Sequence, residues 1–422
     1  MRVIGSIRAM VTTATDFFTG THQRIPVLSS SRYFAQMGLL TTNSRADFTA
    51  LCLCIVLIQQ MPSARETSIT QSPLYVHVKN LVSVIRMTNP VSLDLLHCII
   101  LITFYEIGHG HHTAAYLSIA SCARLARVLG LHKKGWRNVN EGHHKLLLEE
   151  EKRVWWAIVN MDRFISLFNG DALFITEDPE RTDPLPIEDL LWSEGSVAAD
   201  LEDAIGKPPY LETPFTVTVG QMARECQIAH LVGRAVRHVF SPAPDQDFHA
   251  AEAIQLERTL KSYLPLLAEE ELKIGKYCGA FGMCNSALFM LYESMLSRGN
   301  ENKVLERHEI LQFMEDTSLR AILFAEASYG DREENYPPEI HSPYLPYSLF
   351  QSAIVQYRLW KQSNDPVCKQ RLDLLRSILS EFTKRWIGAW RYLDILDNLN
   401  ELWPPIVIPF PGSFISNGRF TE

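Results

Sequence analysis

Long apolar runs are scarce in this 422-residue chain. The two longest, residues 51–58 and 95–105, fall well short of the roughly 20 residues that a membrane-spanning helix needs. The first ten residues hold two arginines and no continuous apolar core of signal-peptide length. We therefore expect neither a membrane anchor nor secretion.

Short paired cysteine spacings are also missing. Of the eight cysteines, Cys52 and Cys54 are separated by one residue, and Cys278 and Cys284 by five. A binuclear zinc cluster needs six cysteines in repeated Cys-x-x-Cys spacings, because the thiolates must converge on two metal ions. The sequence therefore predicts no zinc site. Cysteines in apolar helical stretches predict reduced, buried side chains and a reducing compartment.

An excess of basic charge is lacking as well. The chain has 40 basic and 48 acidic residues, a net charge of −8, and its basic residues are not gathered on one segment. The densest basic group, residues 132–137, is short and predicts a solvated loop between two helices. Because a net negative charge repels a phosphate backbone, we expect no specific binding of this chain to duplex DNA.

Recognisable catalytic and metal-binding motifs are absent. The sequence contains no Gly-x-Ser-x-Gly elbow, no Walker-type loop and no dinucleotide fingerprint. His109, His111 and His112 lie close together but lack the fixed helical spacing of a metal site, so we predict a solvated turn. Carboxylates within 200–203 and 394–397 have a spacing that could hold magnesium, but no aspartate-dense motif accompanies them. An all-α enzyme with an apolar pocket and a pure interaction scaffold remain as alternative hypotheses.

Helical periodicity is what the chain does contain. In the segment 143–170 one apolar face recurs at spacings of four and three, formed by Val154, Ile158, Met161, Ile165 and Phe168. Trp155 and Trp156 lie about 100° apart around that helix and widen the apolar arc, so we predict a central helix with neighbours on two sides. Three glutamates, 149–151, are interpreted as an acidic start that suits the helix dipole, and Gly170 as the left-handed end.

The remaining segments also predict helices, joined by proline-rich loops, and the fold class is therefore all-α. Residues 12–34 are interpreted as an extended lead-in with a short helix at 31–37, and 367–402 as a closing helical segment. Residues 187–209 contain acidic side chains and a proline pair with little that could pack, which predicts a mobile loop.

A family resemblance is carried by strings in the middle of the chain. Ala-Arg-Leu-Ala at 123–126, Leu-Gly-Leu-His at 129–132 and Glu-Lys-Arg-Val-Trp-Trp at 151–156 resemble the fungal-specific transcription factor domain, the middle homology region of fungal zinc-cluster regulators. Segments 17–34 and 342–355 resemble the opening and a late helix of that family. The signature residues, which we expect to be structural, are Arg124, Gly130, Leu131, His132, Arg153, Trp155, Trp156, Asp162, Arg163 and Gly170.

The resemblance implies a non-enzymatic regulator of RNA polymerase II transcription in the nucleus. It implies a regulatory domain over 12–300 with a helical part at 301–422 packed on it, and no catalytic, cofactor or metal residues. Zinc is expected only in a preceding zinc cluster that this chain lacks. The implied partners are other transcription regulators or a DNA-binding partner, with a small-molecule effector as a further candidate and no membrane. From the residues themselves, Asp162 and Arg163 are interpreted as a core-helix acid and base that could pair locally or with Arg124, Arg127 or Arg153, with a structural role as the hypothesis and ligand contact as the alternative.

Overall fold

The structure is a computed structural model that describes residues 7–40, 42, 45–62, 68–133, 142–194, 207–274, 278–297, 305–329 and 340–399. Within these ranges the chain forms 15 α-helices and no strand, which confirms the all-α class. In the same ranges no helix is both long and apolar enough to span a bilayer. An isolated antiparallel bridge between Pro184 and Tyr210 is the β-type contact found among the described residues.

The helices follow one another with connections of different lengths. The first eight are α1 Ile7–Thr19, α2 Ser30–Gly38, α3 Ala46–Gln59, α4 Pro73–Thr88, α5 Leu93–Gly108, α6 His112–Leu129, α7 Gly142–Asn169 and α8 Asp189–Glu194. The remaining seven are α9 Gln221–Phe240, α10 Gln246–Ile274, α11 Cys278–Ser297, α12 Arg307–Tyr329, α13 Leu345–Ser363, α14 Pro366–Thr383 and α15 Gly388–Asp397. Two 3₁₀ turns, Thr21–Arg24 and Ile69–Gln71, precede α2 and α4.

Local capping chemistry explains several helix ends. The Ser72 side chain accepts a hydrogen bond from the Tyr75 N–H at the start of α4, and Ser92 does the same for Leu95 at the start of α5. Gly130 and Gly170 follow α6 and α7 with φ values of 80° and 72°. These left-handed conformations suit glycine, and Gly170 is confirmed as the end of α7.

Three element predictions are wrong in detail. Much of the predicted lead-in is helical, since α1 runs to Thr19, although the short helix predicted at 31–37 is confirmed as α2. The closing segment predicted over 367–402 is divided into α14 and α15 by a turn near Lys384. The beginning of the predicted acidic loop forms α8, and its Trp192 is buried because the side chain packs beneath the Arg153 guanidinium. Residues 195–206, on which most of the mobility prediction falls, lie outside the described residues.

The chain divides into two compact units. Unit 1 comprises Met1–Asp162 and Ile175–Gln227, and unit 2 comprises Arg163–Phe174 and Ile228–Glu422. The divisions therefore fall within α7 and within α9. The domain boundary placed at residue 300 from the sequence stays a prediction.

The core of unit 1 is organised around α5. Residues Asp94 to Gly108 of this helix are all buried, and α5 packs against α3, α4 and α6, while α1 packs on α3. Such all-round burial agrees with a sequence whose apolar residues surround the helix instead of forming one stripe. His109, directly after α5, is buried against the Tyr105 ring with centroids 4.0 Å apart, so the prediction of a solvated turn is wrong for this histidine.

The core of unit 2 is organised around α11. Its residues from Cys278 to Tyr292 are buried, and it packs against α10, α12 and α13. A Cβ atom at Gly282 would lie 2.8 Å from the Leu345 Cα atom, so the absence of a side chain permits the close approach of α13. The rings of Phe281 and Phe324 stack with centroids 3.9 Å apart. All eight cysteines of the chain are free and buried, as predicted.

Candidate functional site

The site is built on the part of α7 that belongs to unit 1. The apolar face predicted for α7 is confirmed as buried, and Trp156 is 3% exposed. Trp155 is only partly buried, which corrects the expectation that the two tryptophans are equivalent. The acidic start predicted for α7 is also wrong. The helix begins at Gly142, and Glu149 and Glu150 lie in its third turn, where both are buried.

Glu149 joins α7 to the segment before α8. Its carboxylate accepts hydrogen bonds from Arg153 Nε at 3.0 Å, Lys152 Nζ at 2.8 Å and the Ile187 N–H at 2.9 Å. Arg153 is fully buried and donates to Ile187 O and to Asp189 Oδ1, at 2.8 Å and 2.7 Å. A buried charge is tolerated only when it is paired and hydrogen-bonded, and this network meets that condition.

Glu150 joins α7 to the N-terminal helices. Both of its oxygens accept from the Arg32 guanidinium at 2.8 Å, and the Ser29 N–H donates to Oε1 at 3.0 Å. A third nitrogen of Arg32 donates to Asp94 on α5 at 2.6 Å. Because a guanidinium presents its donors in a rigid fork, this one side chain fixes α2 against both α5 and α7.

Asp162 holds the chain that returns after α7. Its carboxylate accepts from the N–H groups of Ile175 at 3.2 Å and Thr176 at 2.9 Å, and from the Thr176 hydroxyl at 2.6 Å. The Arg127 guanidinium, on α6, donates to Ile175 O and to Glu177, both at 2.8 Å. Partial burial by itself raises the pKa of Glu177, but hydrogen bonds from its backbone and from Arg127 outweigh burial and lower that pKa. The backbone contacts of Asp162 were not predicted from the sequence.

The returning segment forms a wall of residues 177–184 that faces α7. Its far end pairs with a second segment, since the Leu185 N–H donates to Pro209 O at 2.7 Å and the Leu211 N–H donates to Asp183 O at 3.0 Å. Trp156 Nε1 donates to Pro184 O at 3.0 Å and so ties the wall to α7. A buried indole N–H usually finds such a partner, and here the partner sets the position of the wall.

A cleft of about 590 Å³ lies between α7 and this wall. That volume falls within the range of small-molecule sites. The His132 ring, just after α6, lies 6.3 Å from the Trp155 ring, centroid to centroid. The lining residues are Leu131, His132, Lys133, Lys152, Trp155, Trp156, Glu177, Asp178, Pro179, Glu180, Thr182, Asp183 and Pro184.

Four of the eight signature residues in unit 1 line this cleft, and three more lie next to it or hold its surrounding segments. Leu131, His132 and both tryptophans line it, Gly130 ends the helix before it, and Arg153 and Asp162 hold the segments around it. Arg124 is instead exposed on α6.

Arg163 and Gly170 belong to unit 2. The Arg163 guanidinium is buried over the Phe174 ring, 4.0 Å from its centroid, and a Cβ atom at Gly233 would lie 2.7 Å from Arg163 Nε.

The other candidate ligand groups do not converge. Among the residues that the structure describes, no group of three or more His, Cys, Asp or Glu side chains could hold a metal ion. Asp397 is exposed and pairs with Arg376. The carboxylates of 200–203 lie outside the described residues, as do Lys134 to Arg137 of the basic group.

The residues that the structure describes form an all-helical fold with a cleft in the size range of small-molecule sites. The model of the fungal specific transcription factor domain matches residues 15–216. Transcription factor BOA15 of Botryotinia fuckeliana is 30% identical over 122 residues, which cover 29% of this chain and 67% of that relative. The chain belongs to the fungal-specific transcription factor domain family.

Two further relatives are also transcription factors. Transcription factor tazR of Aspergillus terreus is 26% identical over 177 residues, which cover 38% of this chain and 26% of tazR. The Zn(2)-C6 fungal-type transcription factor FTF1c of Fusarium oxysporum f. sp. lycopersici is 25% identical over 151 residues, 34% of this chain and 16% of FTF1c. The alignments therefore span only a minor part of these two relatives.

Proposed function

We propose that this chain is the regulatory domain of a fungal transcription factor that acts in the nucleus and controls transcription by RNA polymerase II. Three relatives that are transcription factors support this role. The observation that carries the proposal is that four signature residues, Leu131, His132, Trp155 and Trp156, line one cleft, because such a cleft gives an effector a place to act.

The proposed mechanism is a conformational change driven by occupation of the cleft. An occupant would contact Trp155 on α7 and the wall of residues 177–184 at the same time. The wall is held by Asp162 and Arg127 at one end, by the Trp156 N–H at the other, and by backbone hydrogen bonds to residues 209–212. A ligand that binds one position of the wall better than another would shift the population toward that position, and with it the surface offered to other regulators.

Under this proposal the chain reaches DNA indirectly. Either a zinc cluster encoded before this sequence or a separate DNA-binding partner would supply the contact. A six-cysteine reading frame upstream of Met1 would support the first version. In neither version does this chain carry a cofactor or a catalytic group.

A reporter assay tests the regulatory role. The full chain would be fused to a heterologous DNA-binding module, and reporter output would be measured for the parent, for Trp155→Ala and for Asp397→Ala. We expect Trp155→Ala to change output at equal protein level, and Asp397→Ala to leave it unchanged, because Asp397 lies in unit 2 on an exposed position. Equal output from all three would contradict a regulatory cleft.

A further inference from the structure

Large apolar side chains are exposed on α4 and α6 of unit 1. On α6, Leu117 and Val128 are 64% and 71% exposed, and on α4, Met87 is 73% exposed. They are three of the five most exposed large apolar side chains among the described residues. Such side chains need no explanation when they are scattered singly, whereas a group on one face indicates an interaction site.

The two helices lie side by side. Both pack against α5. The Lys79 ammonium group, on α4, donates to the Ser118 hydroxyl of α6 at 2.9 Å. About two turns further along α4, the Arg86 guanidinium donates to the Ser121 hydroxyl of α6 at 3.2 Å. The outward sides of α4 and α6 therefore form one surface.

Helical spacing places the exposed apolar side chains beside these contacts. Leu117 precedes Ser121 by four residues and Val128 follows it by seven, so the three lie on one face of α6. Met87 comes directly after Arg86 on α4. The α4–α6 face is the set of exposed side chains around the contacts, namely Arg86, Met87, Leu117, Arg124 and Val128.

The charges of the α4–α6 face are of one sign. Neither helix contains an aspartate or a glutamate, although the whole chain has a net charge of −8. Lys79 and Arg127, the other lysine and arginine of these helices, are each paired with a glutamate. Arg86 and Arg124 are exposed, and among the described residues no carboxylate pairs with either of them. The contact of Arg86 with a neutral hydroxyl leaves its positive charge in place.

We infer that the α4–α6 face binds an acidic amphipathic helix of a protein partner. The apolar stripe of that helix would cover Leu117, Val128 and Met87, and its carboxylates would face Arg86 and Arg124. From Leu117 to Val128 the face extends about 16 Å along α6, or three helical turns, the length over which such a helix presents its apolar anchors. The inference goes beyond the proposed function and does not depend on the cleft.

Charge and apolar character together favour this occupant over two others. A second copy of this chain would bring arginines against arginines, and like charges that meet at an interface weaken it. A phosphate backbone would match Arg86 and Arg124 but would leave the apolar side chains uncovered. An acidic amphipathic helix matches both parts of the face.

Two labelled peptides of opposite charge test the inference on the full chain. The first is about five helical turns long, with leucines at spacings of four and three and glutamates beside them, and the second has lysine in place of every glutamate. Fluorescence anisotropy measures their binding. We expect the acidic peptide to bind about tenfold more tightly than the basic one, and to bind more weakly in about 0.5 M sodium chloride, because salt screens exposed ion pairs.

A double variant tests the charges of the face. Arg86→Gln/Arg124→Gln should weaken binding of the acidic peptide about tenfold, since two exposed ion pairs are lost. The matched control Arg258→Gln/Arg320→Gln removes two exposed arginines from α10 and α12 and should leave binding unchanged.

A single variant tests the apolar contact. Leu117→Ser should weaken binding of the acidic peptide about tenfold, because the peptide no longer buries a leucine side chain there. Leu323→Ser on α12 is the matched control, since its side chain is 65% exposed in the parent, and it should leave binding unchanged. Tm should stay the same in these variants, because substitutions at exposed positions leave the core intact.

Equal binding of the two peptides would overturn the inference, and so would equal weakening by the face variants and their controls. Without binding of the acidic peptide, dimerisation of the parent that Leu117→Ser abolishes would assign the face to a second copy and overturn the inference. Binding of duplex DNA that only the arginine variant loses would likewise overturn it. These failures differ from failure of the proposed function. If Trp155→Ala changes reporter output while the acidic peptide does not bind, the cleft is regulatory and the α4–α6 face is not a docking surface.

Discussion

The two units fix their helices with different chemistry. In unit 1, buried ionic groups do so: Glu149 with Arg153, and Glu150 with Arg32, each tie α7 to a distant segment. In unit 2, small and neutral groups make the closest contacts at the centre, beside ion pairs such as Glu293 with Arg358. The absence of a side chain at Gly282 permits the close approach of α13. The Ser318 hydroxyl, on α12, donates to Ser352 O at 3.2 Å.

This difference follows from what each region must hold. Unit 1 anchors irregular segments whose backbone N–H and C=O groups need partners, and charged side chains can supply several hydrogen bonds each. The contacts between helices at the centre of unit 2 involve backbones whose hydrogen bonds are already made, so close approach and dispersion contacts contribute more there. The following variants test that distinction.

Removing the central cation of unit 1 should have the largest effect. Arg153→Met should destabilise the protein by about 3–5 kcal/mol, because it leaves Glu149 and Asp189 without their buried partner. Arg376→Met, which breaks the more exposed pair with Asp397 in unit 2, should cost below about 1 kcal/mol. Urea unfolding of both variants measures the contrast. If Arg153→Met lowers the free energy of unfolding by less than about 1 kcal/mol, the buried ion pairs do not stabilise the helix arrangement of unit 1.

The adjacent tryptophans of α7 should differ. Trp156→Ala should cost about 3–5 kcal/mol, because it empties a buried site and removes the N–H that holds Pro184. Trp155→Ala should cost less, about 1–2 kcal/mol, since part of its ring already faces the cleft. Thermal unfolding of the two variants checks this order, and equal losses would contradict the difference in burial.

Close helix approach in unit 2 should be sensitive to one methyl group. Gly282→Ala places Cβ 2.7 Å from Tyr344 O, a backbone atom that cannot move alone, so we expect a loss of about 1–3 kcal/mol. Gly38→Ala, at the end of α2 with nothing within 4 Å, is the matched control and should be close to neutral. If the unfolding midpoints of the two variants coincide, the packing of α13 against α11 does not depend on the absence of a side chain at Gly282.

A buried histidine should make unit 1 sensitive to acid. Burial lowers the pKa of His22 to about 3, and the Arg153 guanidinium acts in the same direction. The pKa of His22 in the folded state lies below the unfolded value of about 6.5. The contribution of the neutral ring to stability is therefore fully present above pH 6.5 and is lost as the pH falls toward 3. Between pH 7 and pH 5 the loss attributable to His22 should be about 2 kcal/mol.

Urea unfolding at both pH values measures this loss. His22→Gln should reduce the difference between the two pH values, and His77→Gln, at an exposed position on α4, should not. An unchanged pH dependence in His22→Gln would assign the acid sensitivity to other groups.

The smallest effect is expected at the carboxylates that resemble a metal motif. Asp397→Ala should change stability by less than about 0.5 kcal/mol, because Asp397 is exposed and its ion pair with Arg376 is screened by solvent. A Tm measured with and without magnesium checks this. Stabilisation by magnesium in the parent but not in the variant would contradict the surface assignment.

Sequence reasoning predicted the signature residues but not the cleft that they share. Leu131, His132 and Trp155 lie in two helical regions of the sequence, and the wall opposite them comes from a segment interpreted only as an extended, proline-rich connection. The contacts that position this wall, from Asp162 to Thr176 and from Trp156 to Pro184, join side chains to backbone atoms. Such contacts leave no periodic pattern in a sequence.

The sequence by itself determined the all-α class, the buried face of α7 and the burial of the cysteines. It could do so because helical periodicity and capping act over a few residues. Tertiary structure alone decided that Glu149 and Glu150 are buried ion-pair partners instead of exposed acids at a helix start, and that Trp155 faces a cleft while Trp156 is enclosed. These outcomes depend on Arg32, Ile187 and Pro184, which lie far away in the sequence, and only folding brings such groups within hydrogen-bond distance.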